Sequence, residues 1–410
     1  MKIAYLTSLY PAVSHTFVLR EVLSLRARGH EVGTFSIRKS APHDIKGEQA
    51  QREAAQTRWL VPAHPASYAK AFAWLAGRAG TSDVLALAQS GADVSPRERV
   101  MWSIYFGEAV QLAHWLVSEG FEHLHCHFGN TGSNTGMLAA ELAGIPFSIT
   151  CHGSELNEPE KFRLAQKTER AAFMVCVSKF GKARLMQITQ PALWSKLQVV
   201  RCGVENIEAS AMPVHAAPGR VLCVARLSEE KAHLVLLSAL SELKQRGQAF
   251  HCTLVGEGPM RTVIEARIAE LGLTAEVTLL GSLAPDRVAE QYQACDIVVL
   301  ASFSEGVPVV LMEAMAHGRP VVATRVGGIA ELVAHERTGF VVAPGDAQEL
   351  ADGLATLLSD PARAAAMGRA GSESVWQEFS VPRSAERLER LFLGARSRST
   401  QDAPLRSAQK

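Results

Sequence analysis

The strongest constraint on this chain is an alternation, run through twice, of short apolar stretches with segments of helical period. Strand-like runs fall at Ile3–Thr7, Glu31–Ile37, His123–His127, Pro146–Cys151, Phe173–Val177 and Leu197–Val200, with helical patterns between them such as Thr16–Arg28 and Arg97–Glu119. A second series follows at Val221–Val224, His251–Val255, Val277–Leu280, Ile297–Ala301, Pro320–Thr324 and Gly339–Val342. Short apolar strands separated by helices build a mostly parallel sheet covered on both faces, so the expected class is α/β with two doubly wound domains. Between the series, Ser210–Arg220 has the prolines, glycine and small residues of a linker. The expected domains are 1–209, with a helical insertion at about 43–95, and 218–380. A helix at 381–395 would return to the first domain and a polar tail would occupy 396–410, disordered from Ala403 onward.

Composition fits that plan. The 410 residues are 47% hydrophobic and 20% charged, which suits a globular chain too long for one core. Net charge is only +1, which excludes a wholesale affinity for polyanions such as nucleic acid. The charge is nevertheless uneven: 22 basic and 17 acidic residues up to Glu205, 16 and 23 from Asn206 to Ala395, and 4 and 1 in the last fifteen. A basic first half suggests one face that meets an anionic partner. The seven cysteines are scattered without a C-x-x-C and read as reduced, buried residues. The start, MKIAYLTSLY, lacks the layout of a secretory signal, and no apolar run approaches the roughly 20 residues needed to cross a bilayer. The expected location is therefore cytoplasmic.

In doubly wound sheets ligands bind at the carboxyl ends of the strands, so the residues placed there are the candidates. The densest signal is Ser304–Glu313 (SEGVPVVLME), where a buried strand ends and a helix begins. Glu305 and Glu313 flank a loop whose amides, from Gly306, Val307 and Val309 around Pro308, suit hydroxyls or anionic oxygen. The plain alternative for a single Glu is a solvated residue at a helix start. Arg226 follows the first strand of the second domain and Lys231 lies five residues on, a guanidinium and an ammonium suited to neutralising a diphosphate leaving group. A surface pairing with Glu229 and Glu230 is the alternative. Val255–Arg261 (VGEGPMR) imitates a dinucleotide fingerprint, but Arg261 stands where a third glycine belongs. A tight turn at Gly256 and Gly258 that lets a nucleotide approach the backbone is the better reading. Gly327 and Gly328 (RVGGIAEL) mark another strand-to-helix junction with amides for a phosphate or sugar carboxylate, or a simple turn. In the first domain His152 and Gly153 follow the strand FSITC, with Glu155 behind, putting an imidazole where it can meet a sugar hydroxyl. The run HLHCHF suggests zinc, yet alternation puts His123, His125 and His127 on one face and Cys126 on the other. A packed strand end is preferred and no metal is expected.

Together, Arg226 and Lys231, VGEGP, the E-x7-E pair, RVGGIAEL and the HG motif resemble the retaining GT-B glycosyltransferases of family 4 over nearly the whole second domain. The first domain is similar to the subgroup that assembles exopolysaccharide and colanic-acid-type repeat units, through TSLYPAVSHTFVLREVLSLRARGHEV, HFG, CHGSE and VVRCGVE. The resemblance implies two Rossmann-like domains facing a central cleft and transfer of a sugar from a nucleotide-diphosphate sugar with retained anomeric configuration. It implies no cofactor and no obligatory metal. The acceptor would be a saccharide or a polyprenyl-diphosphate-linked saccharide. By the same resemblance Arg226 and Lys231 would hold the donor diphosphate and Glu313 the ribose hydroxyls. Glu305 would hold the sugar hydroxyls with help from the 306–309 loop, and His152 would meet the sugar near the reacting carbon. The chain departs from the pattern in three places. SLYPAVSHT replaces paired glycines in the first βα loop, His15 stands where an acidic residue is common, and Ala232 replaces a glycine after Lys231.

The insertion carries Tyr68, Phe72, Leu75 and Ala79 at the spacing of one helical face, with Lys70 and Arg78 elsewhere. An acceptor lid, a patch on anionic lipid and a core-facing helix are all open at this stage. Two other functions fit the same fold, a sugar-nucleotide 2-epimerase and a catalytically silent nucleotide-sugar binding protein. The intact E-x7-E loop speaks against the first and the retained charged set against the second.

Overall fold

The computed structural model describes residues 1–12, 15–78, 80–90, 95–205 and 219–407, with the side chains of 43 and 398–407 left aside. Most of the expected linker, and Ala79, lie outside the described residues. Contacts divide the chain into two units. One comprises Met1–Val177, Gly181–Val200 and Ser384–Lys410, the other Ser178–Phe180 and Arg201–Arg383.

The first unit is built on a seven-stranded parallel sheet: β1 Lys2–Leu9, β2 Glu31–Arg38, β3 Arg58–Val61, β4 His123–His127, β5 Phe147–Cys151, β6 Phe173–Cys176 and β7 Leu197–Val199, in spatial order β3-β2-β1-β4-β5-β6-β7. Alternation along each strand divides the core in two. From β1, Ala4 and Leu6 join Leu112, Leu116 and Met137, whereas Ile3 and Tyr5 join Val18, Val22 and Leu25 of the helix Thr16–Ala27. The same rule sends Leu124 and Cys126 of β4 to one face and its three histidines to the other, where Phe173 and Phe392 pack on His123 and His125. Phe392 comes from the last helix, Val381–Ser407, whose Ala385, Leu388, Phe392 and Ala395 recur at three- and four-residue spacing in that second cluster. This helix continues past 395 to Ser407, so the disordered tail expected from Ala403 is not found there. Residues 396–403 hold no glycine or proline to stop it, and the helix runs on through Pro404.

The expected insertion is only partly helical. It holds the helices Glu48–Gln56, Pro65–Leu75 and Thr81–Gln89, but Arg58–Val61 within it is the edge strand of the sheet. Four residues closed by Pro62 give too short an alternation to announce a strand. On Pro65–Leu75 the buried residues are Ala71 and Leu75, with Tyr68 half-buried, while Phe72 is 45% exposed, so of the face drawn through Tyr68, Phe72 and Leu75 it is Phe72 that turns outward.

The second unit carries a six-stranded parallel sheet: β8 Gly219–Val224, β9 Phe250–Val255, β10 Val277–Gly281, β11 Ile297–Leu300, β12 Val321–Thr324 and β13 Gly339–Val342, in order β10-β9-β8-β11-β12-β13. Leu236, Leu240 and Leu243 of the helix His233–Gln245 pack with Leu350, Leu354 and Leu357 of Ala347–Ser359 against its strands. All seven cysteines are free and buried. Both sheets reverse their winding at the centre, between β1 and β4 and between β8 and β11. That reversal point, at the carboxyl ends of the strands, is where doubly wound sheets take their ligands. Among the described residues no helix is long and apolar enough to cross a membrane.

Candidate active-site residues

In the second unit the loops that leave β8 and β11 are tied together at the switch point. The amide of Phe303 donates to the Glu230 carbonyl at 2.8 Å, and Thr324 donates to the Ser302 carbonyl at 2.5 Å. On this frame Lys231 Nζ meets Glu305 Oε1 at 2.6 Å, and the Ser302 hydroxyl donates to the same oxygen at 2.7 Å. The pair is largely withdrawn from solvent, with 22% of the Lys231 and 8% of the Glu305 side chain exposed. Lys231 sits in a 3-10 turn, Glu229–Lys231, closed by Ala232 at φ +50°. The substitution of alanine for glycine therefore falls on a left-handed residue, and the turn forms in spite of the side chain. Glu230 pairs with the Ser228 hydroxyl at 2.6 Å rather than with a cation. Its carboxyl is raised by burial, but Ser228 and the nearby Lys231 and Arg226 outweigh this and hold it below the ordinary value. Arg226 itself is exposed and makes no ion pair among the described residues.

Of the expected set the structure thus joins Lys231 and Glu305 directly, with Arg226 on the same loop. Glu313 is half-buried on the helix Val309–Ala316, where the Tyr292 hydroxyl lies 3.4 Å from it. Pro308 precedes that helix and its carbonyl accepts from Leu311 and Met312.

Two glycine motifs pack against neighbouring loops. A Cβ at Gly256 would collide with the Ala225 carbonyl oxygen and one at Gly258 with that of Leu227. The backbones of these two loops are also bonded, Leu227 to Glu257 at 3.0 Å and Met260 to Leu227 at 2.9 Å. These glycines therefore allow VGEGP to pack on the loop that carries Arg226, a sufficient reason for them without a nucleotide. Likewise the Gly328 amide is not open to an anion, because it donates to Gly306 O at 2.6 Å. A Cβ at Gly327, φ +52°, would strike the Glu305 carbonyl oxygen. RVGGIAEL supports the SEGVP loop from beneath. Its Glu331 accepts from the amides of Lys179 and Phe180 and from Arg201.

In the first unit His152 stands just beyond β5, in the loop next to the β1/β4 switch point. Glu155, buried, accepts from the amides of Gly129, His152 and Gly153 at 2.8 to 3.0 Å and fixes that loop. His152 Nε2 lies 3.0 Å from His127 Nδ1, and His127 Nε2 lies 3.0 Å from Glu21 Oε1, which also receives the Tyr5 hydroxyl at 2.7 Å. Burial, then the neighbouring His127 and His15, pushes His152 well below the usual imidazole range. His123 and His125 share the Ser148 hydroxyl, and His125 also reaches Thr150. Glu21, His125 and His127 bring ligand atoms within 4.8 Å of one another, but the ring nitrogens of His125 and His127 already face hydrogen-bond partners. Sequence reasoning missed Glu21. The signal was present: it falls in the core stripe Val18, Val22, Leu25 of its helix, where a carboxylate calls for a buried partner. Ser302 gave no comparable sign.

Residues 213–374 match the model described as Glycosyl transferases group 1, and residues 14–206 match Glycosyltransferase Family 4. WcaL of Escherichia coli K12, named for colanic acid biosynthesis, is 30% identical over 376 residues, 87% of this chain and 90% of its own. The chain belongs to the glycosyltransferase family. This glycosyltransferase is also 28% identical over 421 residues to AmsK of Erwinia amylovora, an amylovoran biosynthesis glycosyltransferase, covering 95% of this chain and all of that one. Among solved structures, Anabaena HepE in complex with UDP superposes with a TM-score of 0.70 at 19% identity, over 96% of this glycosyltransferase and 100% of HepE. The fold is GT-B, with two parallel-sheet Rossmann-like domains.

Proposed function

We propose that this glycosyltransferase moves a sugar from a nucleotide-diphosphate sugar, with retention, onto a saccharide or polyprenyl-diphosphate-linked acceptor in the building of a surface polysaccharide. The polysaccharide assignment is supported by the colanic acid and amylovoran names of its relatives, and the donor class by HepE, described with UDP. An epimerase finds no support among these relatives.

The observation that carries the reading is the Lys231–Glu305 pair, anchored by Ser302 where β8 and β11 diverge. A cation and a carboxylate held side by side are a place for the two ends of one ligand, an anionic diphosphate and a hydroxylated sugar. In this reading Lys231 and Arg226 neutralise the leaving diphosphate and Glu305 takes sugar hydroxyls. Glu313 takes the ribose hydroxyls, the amides at 306–309 assist, and His152 meets the sugar. Glu305 is engaged by Lys231 and Ser302 rather than presented as a nucleophile. Departure and attack then occur on one face of the sugar. The bond from the anomeric carbon to the phosphate oxygen breaks and the bond to the acceptor oxygen forms. The hydroxyl proton passes to the departing phosphate oxygen.

The test is a donor panel including UDP-glucose and GDP-mannose, with the product's anomeric configuration read by NMR. The same configuration as the donor is expected. An inverted product, or a trapped covalent glycosyl-enzyme adduct, contradicts the front-face mechanism.

A further inference from the structure

The chain of hydrogen bonds that reaches His152 Nε2 determines where that ring carries its proton. Glu21 offers only acceptors once ionised, and it faces two groups, Tyr5 Oη at 2.7 Å and His127 Nε2 at 3.0 Å. Burial, then Glu21, raises the Tyr5 phenol well above its ordinary value, so Tyr5 stays a donor. His127 must then place its hydrogen on Nε2, which in the neutral ring leaves a lone pair on Nδ1. That nitrogen is 3.0 Å from His152 Nε2, which can complete the contact only by donating. We propose that Glu21 and His127 are positioning residues that hold His152 as the Nε2–H tautomer, making Nδ1 the acceptor nitrogen of its ring. The consequence for transfer rests on the reading that His152 meets the donor sugar: a hydroxyl that approaches Nδ1 is accepted only as a donor.

A flipped ring would set Cε1 in place of Nε2 against His127 Nδ1 and lose that hydrogen bond. Phe17 and Phe128 lie 4.7 and 4.5 Å from the His152 ring, and the His127 ring lies 5.2 Å away, tilted by 25°. Phe128 has φ +69°, an unfavourable setting for a bulky residue, and it is held there against both His15 and His152. The other titratable groups around the two rings are Tyr5, His15, Glu21, His125 and Glu155. Among the described residues, the ring-nitrogen bonds that lead to His152 Nε2 run from Glu21 through His127. The residues come from β1, the first helix, β4 and the loop after β5, so the relay spans the switch point of the first sheet.

Long-range proton–nitrogen spectra of the whole protein with labelled histidine test this, His152 being assigned by loss of its signals in His152→Asn. The expected pattern at neutral pH is a protonated Nε2 and a bare Nδ1. His127→Phe should release the tautomer and lower kcat roughly tenfold with little change in KM, the scale of one hydrogen bond lost in the transition state. His127→Gln keeps an acceptor for His152 and should restore both the tautomer and most of the rate, which also guards against misfolding of the Phe variant. Glu21→Gln should behave like the wild type and Glu21→Leu like His127→Phe. A wild-type His152 protonated on Nδ1, or a tautomer unchanged in His127→Phe, overturns the proposal. If instead the tautomer responds as expected while His152→Asn leaves kcat and KM unchanged, the relay stands and the sugar contact falls.

Discussion

Lys231 and Glu305 lie 74 positions apart and meet at 2.6 Å, so each owes its place to the other as much as to its own loop. With Glu305 almost enclosed, removing the lysine alone leaves a poorly solvated carboxylate beside one hydroxyl. Lys231→Met and Glu305→Gln should therefore each destabilise the protein, and the double variant should cost less than their sum. A coupling of about 1 kcal/mol is expected, modest because Lys231 retains contact with water. Denaturant unfolding of the four proteins reads it, and strict additivity would contradict a direct pair. At this scale the sequence was informative about identity and poor about partners. Spacing picked out Arg226, Lys231 and Glu305 because those residue types at strand ends are chemically conspicuous. It did not show that Glu230 turns to Ser228, that Gly328 spends its amide on Gly306, or that Glu21 faces His127. The last two of these join segments far apart in the chain, which no local pattern specifies.

Among the elements, the loop after β4 leans on a single side chain. Lys167, fully buried, donates to Gly129 O at 2.8 Å and Asn130 O at 2.9 Å and lies 2.8 Å from Ser133 Oγ. Burial lowers its ammonium to about 7, against small opposing effects of Cys151, Cys126 and Glu155. The unfolded chain keeps its lysine charged to about pH 10.4, so between these values it binds a proton that the folded protein lacks. Stability due to this residue rises with pH through that window, and the penalty of burying the charge is fully present below about pH 7. The stability of the wild type relative to Lys167→Met should therefore increase from pH 6.5 to 9.5 in urea titrations. A flat difference would mean that the ammonium is not desolvated. Elements themselves were legible where the period held for a full strand or several helical turns, as in β1, β4 and the helix Thr16–Ala27. Arg58–Val61 was missed because four residues at a sheet edge carry too little pattern.

For the whole molecule, the near-zero net charge conceals a basic first half. In the first unit the helix Pro96–Ser118 exposes Val100, Met101 and Ile104 on the side of Arg97, with Phe72 and Leu85 exposed on helices that pack against it. Apolar residues mixed with arginine and lysine suit the surface of an anionic membrane, where a lipid-linked acceptor would be found. Sedimentation with anionic vesicles at low salt should carry the protein down, and Lys70→Glu with Arg97→Glu should weaken it. Absence of sedimentation at every ionic strength would remove the idea.

The central claim is that Lys231 and Arg226 receive a diphosphate and Glu305 the sugar attached to it. Calorimetric titration with a nucleoside diphosphate and its nucleotide sugar, on the wild type, Arg226→Met, Lys231→Met/Glu305→Gln and Glu305→Gln, tests it most directly. The first two variants should bind both ligands at least tenfold more weakly, whereas Glu305→Gln should spare the nucleoside diphosphate and lose only the added affinity of the sugar. Equal binding of both ligands by all four proteins would contradict it.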